Sequence, residues 1–384
     1  MHSIKINKLI TLIMSLYYRI SVWHRGNIPT AKEIRIKLFY WVFYLLFLLS
    51  LMVGAITNEK VEKKIFLVEV SIEVATLFVK LSFLIWKQSK ICDLAYRVCV
   101  FSIQDDDDYA TFNNKLKKFA KWSGIFAIAT SLGAFLSAVL IPFMGTEKTL
   151  FLEIGFFLDW KNSDIVFWIA AFFLFVQSLA SVMISSFSVI IWYLLFVCSL
   201  RYEVLGSELK NLGQNSGIRA KKLEKNHVNF LDDLKTSIDT HLYLMGLTNE
   251  LGSLFSGLFL IRLGTSGLCI CGSIYCLALD VGENTFERVT YLMILFYFIS
   301  EIFMLTYFGN EIMLSYDQLS YCLFESDWFE QPESTKKCMI IFGEYLKKPL
   351  TLMIGKLYPL TLETFTKILN SAYSMFNILQ NIQQ

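Results

Sequence analysis

The sequence reads as an all-α bundle of seven transmembrane helices, its N-terminus cytosolic and its C-terminus extracellular, on three grounds. Hydrophobic residues make up 55% of the chain and charged residues only 18%, where soluble domains carry about a quarter. Seven stretches have roughly the 20 mostly apolar residues needed to cross a hydrocarbon core. Lysine and arginine gather in alternate connections between those stretches.

Taken in order, the first 37 residues mix basic residues with short apolar runs and lack an apolar core followed by a small-residue cleavage site. A cleaved signal peptide is therefore not expected, and the first span, 38–56, should serve as the insertion signal. Spans two and three follow at 68–86 and 122–144. Residues 165–198 are long enough to cross and continue into the cytosol. In 201–241 apolar residues recur at helical spacing (Leu205, Leu209 and Leu212, then Leu223, Phe230, Leu231, Leu234 and Ile238), which predicts two cytosolic helices broken at 213–217. Spans five and six occupy 252–279 and 289–308, and a more polar seventh lies at 360–380. The chain is expected to be one membrane domain over 1–384. It divides into a cytosolic segment 1–37, six spans over 38–308, and a cytosolic anchor with the seventh helix over 309–384.

Direction follows from the basic residues. With the N-terminus inside, 26 of the 35 fall in cytosolic segments, seven in each of the first three and five in the fourth, against six in outside loops. A G-protein-coupled receptor has the opposite orientation, and the motifs common in that family, Asp-Arg-Tyr after span three and Asn-Pro-x-x-Tyr in span seven, do not occur. The net charge of +2 points to no nucleic acid.

Enzyme signatures are missing as well. His2, His24, His227 and His241 are scattered without metal-ligand spacing. The four aspartates at 105–108 lack the alternation and glycine of a calcium loop and read as a solvated turn. No metal or cofactor is expected. All eight cysteines fall in spans or on the cytosolic side, so no structural disulfide is expected.

Charges inside spans carry more information, since each costs at least about 2.5–3.5 kcal/mol at mid-membrane unless paired or wetted. Arg262 in span five and Glu301 in span six are expected to form an ion pair, the alternative being that each faces a separate water-filled crevice. In span two, Glu69 should snorkel to the outer surface, Glu73 should face an internal cavity, and Lys80 shares their status. The seventh span repeats polar residues every three to four positions: Glu363, Lys367, Asn370, Ser371, Ser374, Asn377 and Asn381. Such a stripe faces either a neighbouring helix or an aqueous pore.

The residues after span six resemble a known family. Phe308-Gly309-Asn310-Glu311-Ile312 precedes Cys322-Leu323-Phe324-Glu325-Ser326-Asp327-Trp328, then Pro332, Lys336 and Lys337. Further on stand Lys348-Pro349-Leu350, Gly355-Lys356-Leu357-Tyr358-Pro359-Leu360-Thr361-Leu362-Glu363-Thr364-Phe365-Thr366-Lys367-Ile368-Leu369 and the pair Tyr373-Ser374. Over these roughly 75 residues the chain is similar to insect odorant receptors. The resemblance implies an odorant-gated, non-selective cation channel in the plasma membrane of a sensory neuron dendrite, tetrameric, with the seventh helix lining the pore. Pore-lining residues would be Lys367, Asn370, Ser374, Asn377, Ile378 and Asn381, the last three at the narrow part. Family gates tend to be apolar rings there, so the asparagines argue against a homomeric channel. The compact loop between spans four and five favours an odorant-specific tuning subunit, partnered by the shared co-receptor in a heterotetramer surrounded by lipid. Its small volatile ligand would sit in the outer half of the bundle, against Ile72, Glu73, Thr76, Ser131, Phe135, Phe173, Val176, Tyr291 and Phe296. A homotetrameric gustatory-type channel is the first alternative and a G-protein-coupled receptor the more distant one.

Overall fold

Helices form at every apolar stretch, and most of them outrun it. The computed structural model describes residues 2–26, 28–58, 61–144, 150–155, 163–213, 223–278, 285–355 and 357–383. The long helices are α2 (Ala31–Thr57), α3 (Val61–Trp86), α5 (Asp106–Phe135), α7 (Asp164–Lys210), α8 (Leu223–Ala278), α9 (Thr285–Phe324) and α11 (Leu362–Gln383). Short helices α1 (Lys8–Arg19), α4 (Gln88–Cys99) and α10 (Glu333–Leu346) gather at one end of the bundle, termed the lower end. At the upper end α5 passes through a wide π-type turn, Leu136–Leu140, into α6 (Ile141–Met144).

Hydropathy alone misplaces the helix ends because the chain caps its helices outside the apolar runs. α2 begins well before residue 38: the Thr30 hydroxyl accepts from the Glu33 N–H, and the Glu33 carboxylate accepts the Thr30 N–H at 2.7 Å. α8 and α9 likewise extend below their apolar runs. The break expected at 213–217 opens with a turn ending at Gly213, whose φ of +87° suits glycine; residues 214–222 lie outside the described residues.

α7 forms the axis of the bundle. Every residue from 187 to 200 is buried, as an apolar-all-round helix requires, and α1, α3, α4, α5, α8 and α9 pack around it. Among the described residues, five helices are long and apolar enough to cross a membrane by length and composition. The two outside that set are α3, which carries Glu69, Glu73 and Lys80, and α11, which carries the polar stripe. The outer surface is apolar: α2 alone exposes Leu38, Val42, Leu45, Leu46, Leu49 and Met52. All eight cysteines are free thiols.

The N-terminal segment folds under the bundle. Strand β1 (His2–Ile4) pairs antiparallel with β2 (Phe101–Ile103), His2 opposite Ile103. Tyr17 shares a hydrogen bond with Ser186 at 2.9 Å, and Trp23 donates to the Leu84 carbonyl at 3.1 Å. At the same end, the lower parts of α7, α8 and α9 join α10. There His241 is fully buried among the rings of Tyr316, Phe342 and Tyr345, with neither ring nitrogen hydrogen-bonded. Burial holds its pKa below the usual histidine value. The unfolded chain therefore takes up this proton first, and stability should fall as pH drops through about 6.5. Melting curves at pH 7.5 and 5.5 should show this loss, and His241→Phe should reduce it and raise the melting temperature at both.

Two halves of the C-terminal sequence signature meet in space. A β-carbon added at Gly309 on α9 would lie 2.6 Å from the Leu360 carbonyl oxygen, so the bare glycine admits the connection into α11. That connection is a small hairpin of β3 (Met353–Ile354) and β4 (Tyr358–Pro359). The Leu360 N–H continues the pairing to the Leu352 carbonyl at 2.8 Å, and the Gly355 N–H reaches Ser256 of α8 at 2.8 Å. Thr364 then donates to the Pro359 carbonyl at 2.7 Å, fixing where α11 starts.

Candidate functional site

Three helices bring charge to one buried spot, and a fourth, α7, adds a hydroxyl. On α3, Glu73 and Lys80 lie two turns apart and so share a face. Arg262 of α8 contacts Glu73 at 2.5 Å and also pairs with Glu301 of α9. Lys80 pairs with Glu301 from the other side, and both bond to Ser188 of α7, at 3.1 Å from Lys80 and 2.6 Å to Glu301. Tyr297 donates to Glu73 at 2.8 Å, and the rings of Tyr297 and Phe298 each lie 5.4 Å from the guanidinium. Two cations thus balance two anions, an arrangement that offsets much of the desolvation each would suffer alone. Sequence reasoning named Arg262 and Glu301 as a pair; the structure makes them part of a four-charge network, with Lys80 and Glu73 on α3.

Above this network lies a cavity of about 200 Å³, which is small beside sites for drug-sized ligands. Its floor is Glu73, Tyr297 and Ser185, shared with the network; α5 contributes Thr130, Gly133 and Ser137, and α7 contributes Gln177, Ser178 and Ser181. The wide turn in α5 carries Ser137 into the wall, the kind of place where π-type turns recur. The segment 150–155 closes the upper end through Leu152. It is tied down where Glu153 pairs with Lys63 and accepts from Asn58 at 3.0 Å, and where the Gly155 N–H meets the Ser50 carbonyl at 2.9 Å.

Of the nine residues expected in a ligand pocket, Glu73 lines this cavity and the others lie elsewhere. Ser131 and Phe135 face outward, and Ile72, Phe173 and Val176 are half-buried off its wall. Thr76 is buried and bonded to the Ile72 carbonyl. Tyr291 meets Phe66 edge to face and Phe151 at a tilt, and Phe296 borders a lateral cavity of about 570 Å³ between α5 and α9. The cause is rotational: lipid-facing and inward-facing sides of such helices are equally apolar, so hydropathy does not mark the face. The usable signal was small and polar residues at helical spacing, Gln177, Ser178, Ser181 and Ser185 on α7 and Thr130, Gly133 and Ser137 on α5. Glu69 is also corrected. It is 3% exposed and accepts from Ser273 of α8 inside the bundle, rather than reaching an outer surface.

α11 packs on α8 and α9 by one side only. Ala372 is fully buried, Phe365 meets the Phe303 ring at 5.4 Å, and Ile368 lies next to Gly267. The opposite side leaves Lys367, Asn370, Ser374, Ile378 and Asn381 exposed and Asn377 half-exposed. Lys367 pairs along the helix with Glu363 at 2.7 Å.

A family model described as 7tm Odorant receptor matches residues 65–373. Odorant receptor 94a of Drosophila melanogaster is 26% identical over 299 residues, covering 74% of this chain and 73% of that protein. The solved olfactory receptor OR5 of Machilis hrabei superposes with a TM-score of 0.81 at 15% identity, over 98% of both chains. The same receptor in complex with eugenol gives 0.79 at 14% identity.

Proposed function

Because the chain belongs to the 7tm odorant receptor family, we propose that it is the tuning subunit of an odorant-gated, non-selective cation channel, assembled with a co-receptor in the plasma membrane. The N-terminus is cytosolic and the C-terminus extracellular, a direction supported by the distribution of basic residues. The ligand is a small volatile held in the cavity above the charge network.

The observation that carries the reading is the exposed polar side of α11. Its polar positions 367, 370, 374, 377 and 381 alternate by three and four, a straight seam along one helix face. Polar groups at membrane depth face water or protein, never lipid. A subunit that leaves such a seam bare fits an assembly in which seams of several subunits surround a conduit.

The network offers a path from ligand to conduit. Glu73 and Tyr297 touch the cavity, Arg262 ties them to α8, and α8 supports α11 near Gly267. A ligand that fits better when Arg262 and α8 are in the conducting arrangement shifts the population toward it.

The test is to record odour-evoked current with and without co-receptor while G-protein signalling is blocked. Current that persists under the block and requires the co-receptor is expected. Loss under the block would refute the channel, and current without co-receptor would refute the tuning role. A second prediction concerns the cavity. A β-carbon at Gly133 meets Met293 at an ordinary 3.5 Å, so Gly133→Leu should fold while filling the space. The odorant concentration for half-maximal current should rise at least about tenfold with surface level unchanged, as expected when a preformed pocket is blocked.

A further inference from the structure

The lateral cavity of about 570 Å³ has no part in the ligand path above. It is a trough between α5, α7 and α9. Its α9 wall is one continuous helix face, because Phe296, Ser300, Phe303, Tyr307 and Glu311 recur every three or four residues. Those positions cover about 22 Å of helix by axial rise, against about 15 Å for the hydrocarbon of one leaflet. The trough opens sideways: Trp122, Ile125, Phe296 and Phe303 line it and are exposed on the outside of the bundle.

Its two ends differ in chemistry. The upper end is apolar, with Ile125, Phe126 and Phe296. The lower end holds Lys115 and Lys118 of α5, Glu203 of α7 and Glu311 of α9, whose charges cancel. Lys115 and Glu203 pair with each other at 2.6 Å. Among the described residues Lys118 and Glu311 have no ion-pair partner. The mouth therefore presents one free ammonium from α5 and one free carboxylate from α9. Trp122 stands one turn above Lys118 at the start of span three, where tryptophan marks the headgroup level. The charges thus lie at headgroup depth and the apolar length above them at acyl-chain depth.

We propose that this trough binds one phospholipid of the cytosolic leaflet, a phosphatidylethanolamine. Its phosphate lies at Lys118, its ammonium donates to Glu311, and one acyl chain fills the apolar length. An anionic headgroup would set its charge against two glutamates, and an uncharged ligand would leave Lys118 and Glu311 unmet. A choline headgroup carries both charges but has no N–H for Glu311, and hydrogen bonds between charged groups are about twice as strong as neutral ones. The acyl chain packs on Phe303, whose ring also meets Phe365 of α11 at 5.4 Å. The occupant therefore adjoins the helix proposed to line the conduit. The inference rests on the cytosolic placement of the lower end, and on neither the odorant site nor conduction.

The test reconstitutes the receptor with its co-receptor in phosphatidylcholine vesicles carrying a trace of lipid with a photoreactive acyl chain. The headgroup of that lipid is either ethanolamine or glycerol. After illumination, labelled peptides of this chain are mapped by mass spectrometry. Peptides covering 119–126 and 300–308 should be labelled at least about fivefold more by the ethanolamine lipid than by the glycerol lipid. Glu311→Gln should bring that ratio below about twofold, and Lys118→Gln should lower labelling by both lipids at least about threefold. Equal labelling of the unaltered receptor by the two lipids would overturn the proposal, whether or not a variant folds. So would a ratio unchanged in Glu311→Gln, or no labelling of these peptides, as when another subunit covers the trough. Labelling suppressed by an odorant that evokes current would give the cavity to the odorant and overturn it too. Loss of odour-evoked current with labelling intact would count against the channel reading and leave the lipid site standing.

Discussion

Replacing Arg262 by methionine should abolish odour-evoked current and remove most receptor from the cell surface. The variant leaves Glu73 without its cation and Glu301 with Lys80 alone, both deep in the bundle. Removing one member of a buried ion pair typically costs about 3–5 kcal/mol, comparable to the whole stability of many proteins. The network geometry also dictates which second substitution rescues. Adding Glu73→Gln leaves a neutral set, since Lys80 still balances Glu301. Adding Glu301→Gln instead strands Lys80 and Glu73, two turns apart with no charge between them. Surface labelling should therefore recover substantially in the Arg262→Met, Glu73→Gln double variant and little in the Arg262→Met, Glu301→Gln one. Equal recovery would show that the four charges do not act as the structure arranges them.

Gly309→Ala is expected to have the second largest effect. Its new methyl group would fall on the side chain and carbonyl oxygen of Leu360, a carbonyl in the connection that positions α11. Overpacking by one methylene typically costs about 1–3 kcal/mol where side chains can give, and here part of the obstacle is backbone. The melting temperature of the purified receptor should fall by several degrees, and current should fall further than surface level because α11 itself is displaced. Adding Leu360→Ala removes the side-chain part of the clash and leaves the oxygen, so recovery should be partial. Full recovery would place the conflict in the side chain alone.

How much of this was legible in the sequence depended on which physical signal each feature leaves. The apolar helices were readable because lipid demands apolar length, and the bias of basic residues supports the proposed direction. Helix ends were not, because caps such as Thr30 with Glu33 lie outside the apolar runs and hydropathy does not register them. The stripe on α11 was visible since polar residues in a span stand out against their neighbours. The cavity was not, because the residues chosen for aromatic bulk, Phe135, Phe173 and Phe296, serve the outer faces or the packing between helices. Its wall sets serines, threonines and a glycine among apolar side chains such as Phe47, Leu77 and Leu174, and the small residues leave the space open. Arg262 and Glu301 were recognisable as costly charges; their joint dependence on Lys80 and Glu73 required the relative rotation of α3, which no pattern within α3 encodes. The meeting of Gly309 with Leu360 joins two motifs that are far apart in sequence, and only their packing shows why glycine stands at that position.

The most direct test of the account places single cysteines on α11 and asks which ones water reaches in open receptors. Cys338, the exposed native thiol, is first changed to serine. With co-receptor and odorant present, cysteines at Ser374, Asn377 and Asn381 should react with a charged, water-soluble thiol reagent and alter the current, whereas one at the buried Ala372 should not. If the three polar positions are as unreactive as Ala372, their side of α11 is a packing surface and this subunit does not line a conduit.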